Sequence, residues 1–186
     1  MAWSIELLIL VTVTFLLAGT VKGVIGMALP TVSLGVLAAT LGLKEAIVLM
    51  LVPSFVTNVW QGVIGGYFTA LMKRLWGLLA AMVLGTWFGA QALTMTDTSI
   101  LEALLGLTLI GYGIFGLLAP KLPTTSRSEG WLSPFVGAAT GMLAGLTGST
   151  VLPVVPYLQT LGLSRDEFIQ AMGICFSTAA LGIGIG

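Results

Sequence analysis

Apolar residues run through this chain in long blocks, and charged residues stand mainly at the block ends. The blocks cover residues 5–21, 24–43, 46–64, 75–93, 100–119, 131–146, 151–163 and 168–186. Lys22 closes the first block and Lys44-Glu45 the second. A loop at 65–74 carries Lys73-Arg74, and the tight connection at 94–99 holds Asp97. Residues 120–130 form the polar linker, and Ser164-Arg165-Asp166-Glu167 interrupts the final pair. A membrane-spanning helix needs about 20 apolar residues. The pattern therefore predicts an all-α, polytopic membrane protein. The runs lack the strict alternation of barrel strands.

Two stretches break this pattern. The first is Gly19-Thr20-Val21-Lys22-Gly23-Val24-Ile25-Gly26-Met27-Ala28-Leu29-Pro30. The second is Gly145-Leu146-Thr147-Gly148-Ser149-Thr150-Val151-Leu152-Pro153. Glycine frees the backbone and proline removes a donor, so helices are expected to unwind here, with Pro30, Pro153 and Pro156 as the breaking residues. Broken segments at matching positions of two halves point to a transporter's binding site.

The halves repeat beyond the breaks. Thr40-Leu41-Gly42-Leu43 recurs as Thr160-Leu161-Gly162-Leu163, Lys44-Glu45 as Arg165-Asp166, and Ser54-Phe55-Val56-Thr57 as Cys175-Phe176-Ser177-Thr178. An internal repeat follows. Residues 1–119 read as a first membrane repeat and 120–130 as a cytoplasmic linker; 131–186 read as a second, incomplete repeat. If every block crosses, six of the seven basic residues share one side, taken as cytoplasmic, and the breaks face opposite ways. The blocks beside the second break are short, so each break is alternatively the tip of a re-entrant hairpin. The repeat is inverted in both versions.

Composition narrows the function. The chain is 57% hydrophobic and 8% charged, too few charges to cover a soluble surface. The formal net charge of zero offers no basic field for nucleic acid. Histidine is absent and Cys175 is the one cysteine, so no metal site, cofactor or Ser–His chemistry is expected. The acids Asp97, Glu102, Asp166 and Glu167 lie near block ends, away from any paired acid–base arrangement. The expected partners are a small anion and the lipid bilayer; a homo-oligomer stays open. The N-terminus lacks the positive region of a signal peptide, and the chain stops within an apolar run at Gly186, so it reads as truncated or short by some spans.

Lys22 is the sharpest candidate for chemistry. A lysine deep in a membrane costs roughly 2.5–3.5 kcal/mol on insertion scales and marks function, with an anion as partner. At a loop it would only orient the chain. Gly23, Gly26, Gly145 and Gly148 either expose backbone N–H groups at half-helix ends or let helices pack closely. Thr31, Thr147, Ser149 and Thr150 bring hydroxyls to the breaks. Asn58, Gln61 and Thr178 follow on the next segments, facing a cavity or bonding a neighbouring helix.

The two Gly-rich breaks with their prolines, the Leu-Gly-Leu and charged pair after each, and residues 66–76 with Lys73-Arg74 resemble the TauE/SafE family. These are sulfite exporter-like permeases, also grouped as toluene sulfonate uptake permeases. The resemblance covers nearly the whole chain. It departs where Met27-Ala28 and Ser149-Thr150 replace a run of glycines, and where members continue through further spans. It implies a secondary transporter of small sulfur-containing anions such as sulfite, sulfoacetate or sulfonates in the bacterial inner membrane. The implied activity is not enzymatic. The alternative is a non-transporting membrane module, a truncated member acting as an assembly partner.

Overall fold

The computed structural model describes residues 5–26, 29–118 and 129–185, with Ile25, Leu29 and Pro30 described by backbone alone. Most of the linker at 120–130, together with Met27 and Ala28 of the first break, lies outside the described residues. Among them the chain forms eight helices in the order α1 (Ile5–Ile25), α2 (Leu29–Leu41), α3 (Leu43–Val63), α4 (Phe68–Met95), α5 (Thr98–Leu118), α6 (Glu129–Thr147), α7 (Val154–Thr160) and α8 (Arg165–Ile185). Five of them, α1, α3, α4, α5 and α8, are long and apolar enough to cross a membrane. Their polar side chains are satisfied internally. The hydroxyls of Thr14, Thr86 and Thr108 each donate to the carbonyl one turn earlier at 2.7–2.8 Å, and Thr140 of α6 does the same at 2.7 Å. A hydroxyl surrounded by hydrocarbon needs such a partner.

The breaks are narrower than the glycine runs suggest. Gly19, Gly23 and Gly145 lie inside helices, and Lys22 occupies the last turn of α1 rather than a loop. The chain turns at Gly26 and Gly148, with φ of 81° and 73°. Their amides close the preceding helices identically, on the Lys22 and Ala144 carbonyls at 2.7 Å. This is the left-handed helix ending for which glycine is suited. Pro30 sits in the first turn of α2, Pro153 caps α7 and Pro156 sits in its first turn. In each case proline starts the helix after the break, where its missing N–H costs nothing.

Each break is the tip of a hairpin. Val11 and Phe15 of α1 pack against the core gathered from α2, α3 and α5, whereas Lys22, at the other end of α1, reaches Asn58 near the end of α3. Helix α2 then returns and enters α3 through Gly42, so both arms open at the N-terminal end of α3. Helices α6 and α7 open at the other end. The Tyr157 hydroxyl donates to Ser133 Oγ at 3.0 Å and reaches the Glu129 carbonyl at 3.3 Å. Arg74 of α4 donates to both Glu129 carboxylate oxygens, at 2.7 and 2.9 Å, and to the Leu161 carbonyl at 3.0 Å. Of the two versions the sequence leaves open, this geometry fits the hairpin, held at its mouth by Arg74: α7, at 7 residues, is too short to cross a membrane by itself. Arg74→Gln is expected to lower Tm by about 2–4 °C, read by thermal unfolding in detergent, because the ion pair is part-exposed and contributes about 1 kcal/mol at most.

Contacts around the tips recur with one shift along the sequence. Gly26 lies against Ile169 of α8, and Gly148 against Ile47 of α3. The step from Gly26 to Gly148 equals the step from Ile47 to Ile169. Gly62 meets Gly173, and Leu51 meets Gly184, again related by that step. Helices α3 and α8 thus cross antiparallel at the centre. Side-chain amides stitch one end of this pair: the half-buried Gln61 donates through Nε2 to the Ile169 carbonyl at 2.7 Å, and the buried Gln170 through Nε2 to the Gly62 carbonyl at 2.8 Å.

Helix α6 packs in parallel on α4 with no side chains between the backbones. Gly137, Gly141 and Gly145 face the carbonyls of Leu78, Met82 and Thr86 in turn. Around this seam Leu75, Leu78, Met82, Val154, Leu158, Met172 and Phe176 form one apolar core. A second core gathers Leu34, Leu37, Leu43, Ile47, Met50, Leu101 and Leu105 of α2, α3 and α5.

Candidate functional site

Helix α3 carries a buried stripe at four-residue spacing: Ala46, Met50, Ser54, Asn58 and Gly62. One helical face is thereby turned inward. Asn58 is fully buried, and its Oδ1 accepts a hydrogen bond from Lys22 Nζ. Its Nδ2 donates to Ser54 Oγ at 3.0 Å. Lys22, a donor only, decides which way the amide points, and Ser54 accepts from the amide nitrogen that this leaves.

Lys22 is 8% exposed. Among the described residues no carboxylate pairs with it; the ion pair of the fold is Arg74–Glu129. An ammonium has three donors, and Asn58 takes one of them. A neutral amide compensates a buried charge only in part. Beside Lys22 lies an open pocket at the helix surface, of about 380 Å³, lined by Gly19, Gly23, Val56, Thr57, Trp60 and Gln61, of which Gly19, Gly23, Val56 and Trp60 are exposed. Glycine at positions 19 and 23 keeps this space open, since no atom lies within 4 Å of where their side chains would begin. Lys22 brings a positive charge to a lining that is otherwise mainly apolar, since the Thr57 hydroxyl donates to the Pro53 carbonyl and Gln61 Nε2 to the Ile169 carbonyl. A lysine without a carboxylate, beside open space, suits a small anion.

The second break is built from hydroxyls. Thr147 Oγ1 donates to the Leu143 carbonyl at 2.7 Å and accepts from the Ser149 amide at 3.2 Å, which ends α6. Ser149 and Thr150 are 1% and 5% exposed, and their hydroxyl oxygens have no partner among the described residues. The same holds for Thr31 Oγ1 in the first turn of α2. Gly148 and Thr150 line a void of about 10 Å³ together with Ser54.

The structure thus brings Lys22 and Gly23 to one pocket, with Asn58 buried behind Lys22, and Gly148 and Thr150 to a void beside the same helix α3. It places two expected residues elsewhere. Gly145 lies against the Thr86 carbonyl and the Ala90 amide of α4, a packing position. Thr178 donates to the Ile174 carbonyl at 2.9 Å and lines a separate cavity of about 240 Å³ with Gly62, Met72 and Leu181. Gly26 serves as the turn itself. Ser54 and Trp60 were not singled out from the sequence as site residues. The four-residue spacing of Ser54 and Asn58 was the available signal for the first, and no sequence signal marks the second. Among the described residues no group of three His, Cys, Asp or Glu side chains stands together to hold a metal.

No curated protein and no solved structure matches the chain. A family model described as Sulfite exporter TauE/SafE matches residues 11–186, a span that includes both hairpin tips, the Lys22 cavity and the α3–α8 crossing. With helices long and apolar enough for several membrane crossings, this chain belongs to the TauE/SafE family of multi-pass membrane transporters.

Proposed function

We propose that the protein is a secondary permease that moves small sulfur-containing anions such as sulfite, sulfoacetate or sulfonates across the bacterial inner membrane. One observation carries the reading: Lys22 is buried, is held by the neutral Asn58 alone among the described residues, and faces an open cavity in a chain of this transporter family. Lys22 supplies the counter-charge, and Gly23, Thr57, Asn58 and Gln61 shape the place where the anion rests. Thr31, Gly148, Ser149 and Thr150 are the candidate contacts on the way through the hairpins. Purified protein in liposomes should exchange internal for external radiolabelled sulfite or methanesulfonate, with saturation. Liposomes that exchange neither anion faster than protein-free controls would remove the reading.

The proposal includes an inverted repeat, residues 1–119 and 131–186 about a linker at 120–130. Its support is the recurring shift in the contacts of Gly26, Gly148, Ile47 and Ile169, and the opening of the hairpins at opposite ends of α3. It also includes an orientation with the linker and Lys73-Arg74 in the cytoplasm. Single cysteines at Ser126 and Ser99 test this in cells. Ser99→Cys should react with a membrane-impermeant maleimide from outside, and Ser126→Cys only after lysis. Labelling of Ser126→Cys in intact cells would reverse the orientation.

A further inference from the structure

We infer that Ser54 and Thr150 form a second, weaker oxyanion station, onto which the anion held at Lys22 passes at the second break. The inference rests on the permease reading and goes one step past it. Ser54 and Asn58 are one turn apart on the buried face of α3, a rise of about 6 Å. Asn58 touches Lys22, and Ser54 lines the void that Thr150 and Gly148 close from the other hairpin. Helix α3 therefore connects the two breaks through two adjacent polar residues.

Three features give this void the chemistry of a station. Thr150 lines it and is 5% exposed, and its hydroxyl has no partner among the described residues. A buried hydroxyl left without a partner is costly, so a position of this kind is built for a group that comes and goes. The volume, about 10 Å³, matches one oxygen-sized group rather than a whole anion. The remaining walls are apolar, Met50, Leu51, Phe176, Ala180 and Ile183, and bring no charge. Neutral hydroxyls hold one oxygen of an oxyanion loosely. A conducting path needs this, because a site that binds too well does not release. Lys22 captures, and Ser54 with Thr150 takes over.

The test separates capture from passage, using sulfite as probe. Affinity is measured by calorimetry on protein in nanodiscs, and exchange by radiolabelled sulfite counterflow in liposomes. Thr150→Val keeps the side-chain shape and removes the hydroxyl. It should leave sulfite affinity within twofold of the parent protein while slowing counterflow at least tenfold. Thr150→Ser, which restores the hydroxyl, should recover most of the rate. Intact affinity also shows that the variant is folded. Parental counterflow in Thr150→Val overturns the station, and so does an affinity loss as large as the rate loss, since that merges Thr150 with the Lys22 site. Either result leaves the permease reading standing. Parent protein that neither binds nor exchanges sulfite or methanesulfonate overturns both.

Discussion

Replacing Lys22 with glutamine is expected to abolish anion binding and transport while the protein still inserts and folds. The reason is electrostatic. Helix ends contribute about half a unit of charge each, and the nearby Asn58, Thr57 and Gln61 are neutral. A full negative charge moved from water into this cavity needs a full positive one. Removing one member of such a buried pair typically costs about 2–5 kcal/mol. That is an affinity loss of about 30-fold or more. The fold should survive, because glutamine keeps an N–H for Asn58 Oδ1 and removes a buried charge that has only a neutral partner. Lys22→Arg should be partly tolerated, if the wider planar group fits between Gly19 and Gly23. Calorimetric titration of the variants with sulfite reads the result. Unchanged affinity in Lys22→Gln would reduce this lysine to an orientation signal.

Gly141→Leu is expected to do the largest structural damage. A Cβ at Gly141 would meet the Met82 carbonyl oxygen, and would lie 2.8 Å from the Thr86 amide nitrogen. Those atoms belong to the helical backbone of α4 and cannot swing aside as a side chain would. The α4–α6 seam must open, and it supports the second hairpin through Arg74, Glu129 and Tyr157. The expected cost is at least about 3 kcal/mol. This corresponds to a Tm fall of about 6–12 °C, or to failure to purify folded protein. Gly113→Leu is the control. Gly113 lies on the outer face of α5 with nothing within 4 Å, so the change should stay within about 0.5 kcal/mol. Equal Tm values for the two variants would show that the seam is not close-packed.

Much of the fold was legible because backbone turns leave marks in the sequence. The repeated Thr-Leu-Gly-Leu marks two glycines with the same task. Gly42 and Gly162 both take positive φ, at 93° and 63°, where the return arms end. Of the unwinding expected across Gly19–Pro30, the part from Gly19 to Ile25 is helical, and among the described residues the chain leaves the helix at Gly26. Gly19 and Gly23 stay helical because an apolar surrounding leaves the backbone no other partners. The choice between crossing and re-entrant hairpins was not legible. It depends on Arg74 meeting Glu129 and Leu161, contacts between residues far apart in the chain. The site was half legible. Lys22 stood out by its charge and Asn58 by its polarity, but their contact depends on the first hairpin, α1 with α2, folding back along α3 so that its tip reaches Asn58. Ser54 looked like one more small residue until Asn58 and Thr150 were placed on either side of it. Gly145 and Gly148 carry the same letter in the same motif, and only packing separates the residue against α4 from the residue that turns the chain.

The most direct measurement of the central claim is thermal stabilisation of the purified, unmodified protein by a panel of anions: sulfite, methanesulfonate, sulfoacetate, sulfate and chloride. A ligand that binds only the folded state at one hundred times its Kd adds about 2.7 kcal/mol. For a chain of this size that is a Tm rise of about 5–11 °C. The account predicts a saturable rise with sulfite or a small sulfonate and none with chloride, and disappearance of that rise in Lys22→Gln. The same rise in Lys22→Gln, or no rise with any sulfur-containing anion, would contradict it.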